Sequence, residues 1–108
     1  MRKEHNKLVR DKIPEIIGKS QKQYKQTILS KTEFVAALKN KIIEEAQEAS
    51  KAENSTELIQ EIADLYEVID TLLTIKGIKS EEVLKVKREK KQEKGGFEKR
   101  IKLIWTEE

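Results

Sequence analysis

At 108 residues the chain has the length of a single domain, and 36% hydrophobic against 40% charged residues is the composition of well-solvated helices. Its net charge of +3 is too small to argue for a nucleic-acid partner, and the absence of cysteine excludes disulfides and thiolate metal sites. No apolar run reaches transmembrane length and the N-terminus lacks the apolar stretch of a signal peptide, so a cytoplasmic, membrane-free protein spanning residues 1–108 as one domain is expected.

The first segment, Lys7 to Gly18, reads as a short extended piece followed by a turn of helix. Pro14 suits the first helical turn and Gly18 the stop. The polar stretch 19–31, punctuated by Tyr24, Ile28 and Leu29, reads as loop with room for one short strand. Ser30-x-x-Glu33 is a capping box that opens a helix running to about Glu53. Asn54-x-x-Glu57 starts another, ending at Gly77. Ser80-Glu81-Glu82 is expected to cap a last helix that stops at Gly95-Gly96, with acids in its first turn to suit the macrodipole. The tail from Phe97 to Trp105 alternates loosely, as a short strand or an extended arm would.

Two acidic clusters lie on the central helices, Glu44-Glu45-x-x-Glu48 and Glu61-x-x-Asp64. Carboxylates three or four apart share a helix face. At about 100° per residue, Phe34, Val35, Leu38, Ile42, Ala49 and Ala52 form one apolar stripe. Glu45 falls inside it, Glu48 at its margin and Glu44 further toward solvent. On the next helix Leu58, Ile62, Leu65, Ile69, Leu72 and Leu73 form the stripe; Glu61 lies on its edge, and Asp64 and Glu57 just outside. Glu67 and Asp70 point away.

A solvated helix face is the ordinary meaning of repeated Glu, but it comes with lysines to match. Residues 44–70 carry nine acids against one base, Lys51. A buried carboxylate without a partner costs several kcal/mol or becomes neutral. A divalent cation with oxygen ligands is the cheaper explanation, and an all-oxygen set favours Mg²⁺ or Mn²⁺. A di-iron bundle would require Glu-x-x-His, yet the only histidine is His5. Nucleophilic triads find no cysteine and no histidine but N-terminal His5, and neither a P-loop nor a dinucleotide fingerprint is present.

Glu44-Glu45-x-x-Glu48, twelve residues, then Glu61-x-x-Asp64 resembles the motif of the all-α nucleotide pyrophosphohydrolases, which include MazG, dimeric dUTPase and phosphoribosyl-ATP pyrophosphohydrolase. Asn6-Lys-Leu-Val-Arg-Asp-Lys-Ile-Pro14 and Gly95-Gly-Phe-Glu-Lys-Arg-Ile101 are similar to the ends of a small MazG-like branch that clears noncanonical nucleotides. The resemblance implies an all-α MazG-like bundle with a four-helix core completed by dimerisation. It also implies Mg²⁺-dependent hydrolysis of a nucleoside triphosphate between the α and β phosphates, giving the monophosphate and pyrophosphate. Carried over residue by residue, Glu45, Glu48, Glu61 and Asp64 would be the metal ligands, and Glu44 would orient or deprotonate the attacking water. Many relatives have Arg where this chain has Lys94, and Lys lacks Arg's bidentate phosphate contact.

The run Lys85-x-Lys87-Arg88-x-Lys90-Lys91-x-x-Lys94 also contains Glu89 and Glu93, as a solvated face would. The functional reading assigns phosphate contacts to Arg88, Lys91 and Lys94, and to Lys7, Arg10 and Lys12 near the N-terminus. Tyr66 and Trp105 read as core or dimer-interface aromatics. So little apolar material per chain predicts a homodimer or higher oligomer, with Leu65, Ile69, Leu72 and Leu73 buried. A nucleotide substrate is expected, without a stable nucleic-acid partner. The alternative from another class is a non-catalytic helical module binding RNA or a protein partner.

Overall fold

The computed structural model describes all residues, Met1–Glu108, as four helices without a strand: α1 Ile13–Lys19, α2 Lys31–Ser50, α3 Ser55–Ile75 and α4 Ser80–Lys94. The architecture is all-α, as the helical periodicities require. Pro14 stands in the first turn of α1, with Glu15 beside it and Lys19 in the last turn, both suited to the helix dipole. Gly18 lies inside α1, and the Ser20 and Gln21 amides close its end on the Ile17 and Gly18 carbonyls.

The capping box of α2 is complete. Ser30 Oγ accepts from the Glu33 amide at 3.2 Å, and Glu33 Oε1 accepts from the Ser30 amide at 3.1 Å. At α3, Asn54 Oδ1 accepts from the Glu57 amide at 2.9 Å while Glu57 Oε2 accepts from the Glu53 amide at 3.0 Å. The demands of this second cap explain why α2 stops at Ser50 and not Glu53: Asn54 is already extended, and the Lys51 and Ala52 amides close the α2 end in tighter bonds to Glu48 and Ala49. Gly77, at φ +69°, takes the left-handed conformation that releases the chain from α3.

The chain divides into two compact units, Met1–Gly77 and Ile78–Glu108. In the first, the short link after α2 folds α3 back along it, and the two helices form the principal packing of the chain. Leu38 is buried, at 2% exposure. Around it Phe34, Val35, Ile42, Ala49, Ile62, Leu65, Ile69, Leu72 and Leu73 are half-buried, which bears out both apolar stripes except at Leu58, which is exposed.

In the second unit α4 is exposed along its whole length. Its cap position is Lys79, without a side-chain cap bond, so Ser80 is the first helical residue and not the cap. Gly95 ends the helix at φ +84°. Beyond it, a turn at Phe97–Arg100 leads into a tail without regular structure. Neither the tail nor residues 22–29 form a strand: alternation makes one only where a second strand supplies hydrogen-bond partners. Trp105 at 70% and Tyr66 at 64% exposure are not core residues of this chain. No helix is long and apolar enough to cross a membrane.

Candidate metal centre

The packing of α2 on α3 brings Glu45, Glu61 and Asp64 together, one carboxylate oxygen from each lying within 4.8 Å of the others. Glu45 is the innermost, its side chain 13% exposed, as its place inside the apolar stripe predicts. Burial pushes its carboxyl above the ordinary carboxylate range; Lys41 opposes the shift, and the charges of Asp64, Glu44 and Glu61 add to it. Three hard, anionic oxygens converging from two helices, one of them strained by desolvation, suit a small divalent cation. The donor set therefore fits Mg²⁺ or Mn²⁺.

Glu48 stands one turn beyond Glu45 on α2, exposed and outside this triplet. Glu44 is placed differently again. Its Oε1 accepts from Lys7 Nζ at 3.2 Å and from Lys41 Nζ at 3.5 Å, so its carboxyl is held below the usual range, chiefly by the Lys7 hydrogen bond. Two neighbouring glutamates on one helix thus differ in opposite directions. Such divergence is the usual means by which adjacent carboxylates acquire separate roles.

The cations are where the expectation from sequence fails. Lys51 was the one base within the acidic stretch, but the structure supplies three partners from outside it. Lys41 lies 3.5 Å from Glu44 and 3.8 Å from Glu45, and it was legible at i+3 and i+4 on the same helix. Lys7 reaches Glu44, and Arg10 Nη2 donates to Asp64 Oδ1 at 2.9 Å. These last two cross long sequence separations that no local pattern reveals. The acids are consequently paired in part, and only Glu61 of the triplet has no cation within salt-bridge distance.

Of the remaining bases, Lys12 occupies the position before α1 and is exposed. Arg88, Lys91 and Lys94 belong to the second unit and lie along exposed α4, where Lys91 Nζ is 3.7 Å from Glu98 Oε1. A cavity of about 310 Å³ opens beside Glu44 and Lys41, walled by the N-terminal segment and α2.

Comparison with protein families gives a match to phosphoribosyl-ATP pyrophosphohydrolase over residues 3–91, which takes in both acidic clusters and the cations that meet them. Comparisons with curated proteins and with solved structures give no match.

Proposed function

This chain belongs to the phosphoribosyl-ATP pyrophosphohydrolase family, hydrolases of phosphoric anhydrides that act on nucleotides with a divalent metal, and on that premise we propose that it is an Mg²⁺-dependent nucleoside triphosphate pyrophosphohydrolase. It cleaves between the α and β phosphates, releases the monophosphate and pyrophosphate, and clears noncanonical nucleotides. The convergence of Glu45, Glu61 and Asp64 within 4.8 Å carries this reading.

Glu45, Glu61 and Asp64 would hold the ion, with Glu48 joining from the next turn of α2. Bound there, Mg²⁺ supplies charge neutralisation on the phosphate oxygens and activation of water. Glu44 has the part of proton acceptor for the attacking water, because Lys7 and Lys41 keep it anionic. Arg10 neutralises Asp64 in the absence of a metal. A polyphosphate carries more charge than one carboxylate, so Arg10 can pass to the substrate when a cation takes over Asp64. Lys12 is assigned a further phosphate contact.

A second substrate deserves equal trial, since the matched family takes its name from phosphoribosyl-ATP. A panel of phosphoribosyl-ATP and standard and modified nucleoside triphosphates, assayed for pyrophosphate release with Mg²⁺, tests both. No pyrophosphate from any of them would defeat the proposal. We also take the protein to be a single domain over 1–108, a homodimer and cytoplasmic.

A further inference from the structure

The cavity between the N-terminal segment and α2 is too small for a whole nucleotide. At about 310 Å³ it stands at the low end of small-molecule sites. A triphosphate over the acids would leave this cavity room for a flat group the size of a base. Its walls suit that division. Leu8 and Ala37 provide apolar surface, Asn6 and Asn40 provide carboxamides, and Lys41 and Glu44 mark the end nearest the acids.

The lysines in this wall are paired, because Lys7 and Lys41 both contact Glu44, and His5 lines the cavity beside them. The two carboxamides are not: neither enters any side-chain hydrogen bond of the chain. A carboxamide carries a donor and an acceptor side by side, the pattern that matches a nucleobase edge. Asn6 has φ +47°, a left-handed conformation that Asn adopts more readily than other side-chain-bearing residues, and it is flanked by Lys7, paired with Glu44, and by half-buried Leu8.

We propose that this cavity is the nucleobase subsite, read by the carboxamides of Asn6 and Asn40. The inference rests on the nucleotide pyrophosphohydrolase reading and adds to it the place where the base is discriminated. The substrate then runs from the cavity, past Glu44, to the triplet of acids on α2 and α3.

Calorimetric binding of the four deoxynucleoside monophosphates and of ribose 5-phosphate to the full chain, with Mg²⁺ present, tests it. Wild type should prefer one monophosphate, and Asn40→Leu and Asn6→Ala should each weaken that one about tenfold or more. Ribose 5-phosphate, which lacks a base, should bind wild type and variants alike, and Mn²⁺ affinity should not change. In turnover the variants should raise KM with kcat kept within about threefold. Equal losses for ribose 5-phosphate and the monophosphates would make the cavity a phosphate site and overturn the proposal. Unchanged monophosphate binding in both variants would overturn it too, as would a wild type that binds no monophosphate better than ribose 5-phosphate. Absence of pyrophosphate release by wild type strikes the enzymatic reading instead, because the binding contrast is measured without turnover.

Discussion

Arg10 Nη2 donates to Asp64 Oδ1 at 2.9 Å, and three residues earlier Lys7 Nζ lies 3.2 Å from Glu44 Oε1. One short N-terminal segment thereby ties acids of α2 and α3 at once. Both pairs are largely solvated, with Arg10 60% and Lys7 53% exposed, so neither contributes much stability. The Arg10 pair is the exchangeable one, because a metal ion can replace Arg10 on Asp64.

Arg10→Gln is expected to change metal and substrate binding in opposite senses. Without Arg10, Asp64 has lost a competing cation, so Mn²⁺ should bind the nucleotide-free variant several-fold more tightly. The KM for the triphosphate should rise about tenfold, because a phosphate contact has gone. Titrating Mn²⁺ by electron paramagnetic resonance, beside steady-state kinetics, gives both numbers. A variant unchanged in either would leave Arg10 a surface residue.

The products should be pyrophosphate and monophosphate in equal amounts, without a diphosphate. Chromatography of an early time point, before any secondary hydrolysis, decides the matter. Orthophosphate and nucleoside diphosphate as first products would place cleavage at the wrong bond.

Assembly follows from how little the protomer buries. Leu38 is its one buried residue, while Ile59 at 68%, Tyr66 at 64%, Ile43 at 58% and Leu58 at 45% remain exposed. An open apolar patch on α3, bounded by Leu58, Ile59, Ile62, Ala63 and Tyr66, is the surface expected to meet a second copy. Light scattering across a concentration series should report a dimer, and Ile59→Lys should shift it toward monomer. A wild-type monomer at every concentration would contradict this.

Much of this molecule is written in short-range patterns. The Ser30–Glu33 box, the Asn54 cap and Gly77 set helix limits through bonds among near neighbours, and such bonds are visible as spacing. The place of Glu45 inside an apolar stripe was visible for the same reason, since the period of a helix fixes its face. Partners far apart in sequence were not. Nothing in the order of residues says that Arg10 ends beside Asp64 or Lys7 beside Glu44. Lys41 was within reach of a local rule, but a charge count begun at Glu44 passes over the residue one turn before it. The tail failed for a different cause: alternation from Phe97 to Trp105 describes a face, and a face becomes a strand only when another strand pairs with it.

The contrast between Glu44 and Glu45 gives the sharpest test, because their signs differ. Burial raises the folded pKa of Glu45 above its ordinary 4.5, so the folded state holds that proton more tightly than the unfolded chain. The resulting stability is fully present below the unfolded pKa and is lost as pH rises through the folded one. At neutral pH ionised Glu45 is therefore a strain, and metal-free Glu45→Gln should melt at the same temperature as wild type or higher. Glu44 is lowered from 4.5, mainly by Lys7, so its contribution is present above the unfolded pKa and is lost as pH falls through the folded one. Its side chain is 38% exposed, so solvent screening leaves only a few tenths of a kcal/mol. Glu44→Gln should lower the melting temperature in chelator by a few degrees at most, and the difference from wild type should shrink in acid. Glu45→Gln and Glu61→Gln should both abolish the Mg²⁺-induced rise in melting temperature, whereas Glu44→Gln should keep it and lose activity by a hundredfold or more. Melting curves of the three variants with Mg²⁺ and with chelator, at neutral and acid pH, read all of these at once. If Glu45→Gln melts lower than wild type in chelator and still responds to Mg²⁺, the carboxylate triplet is a structural pairing and not a metal centre.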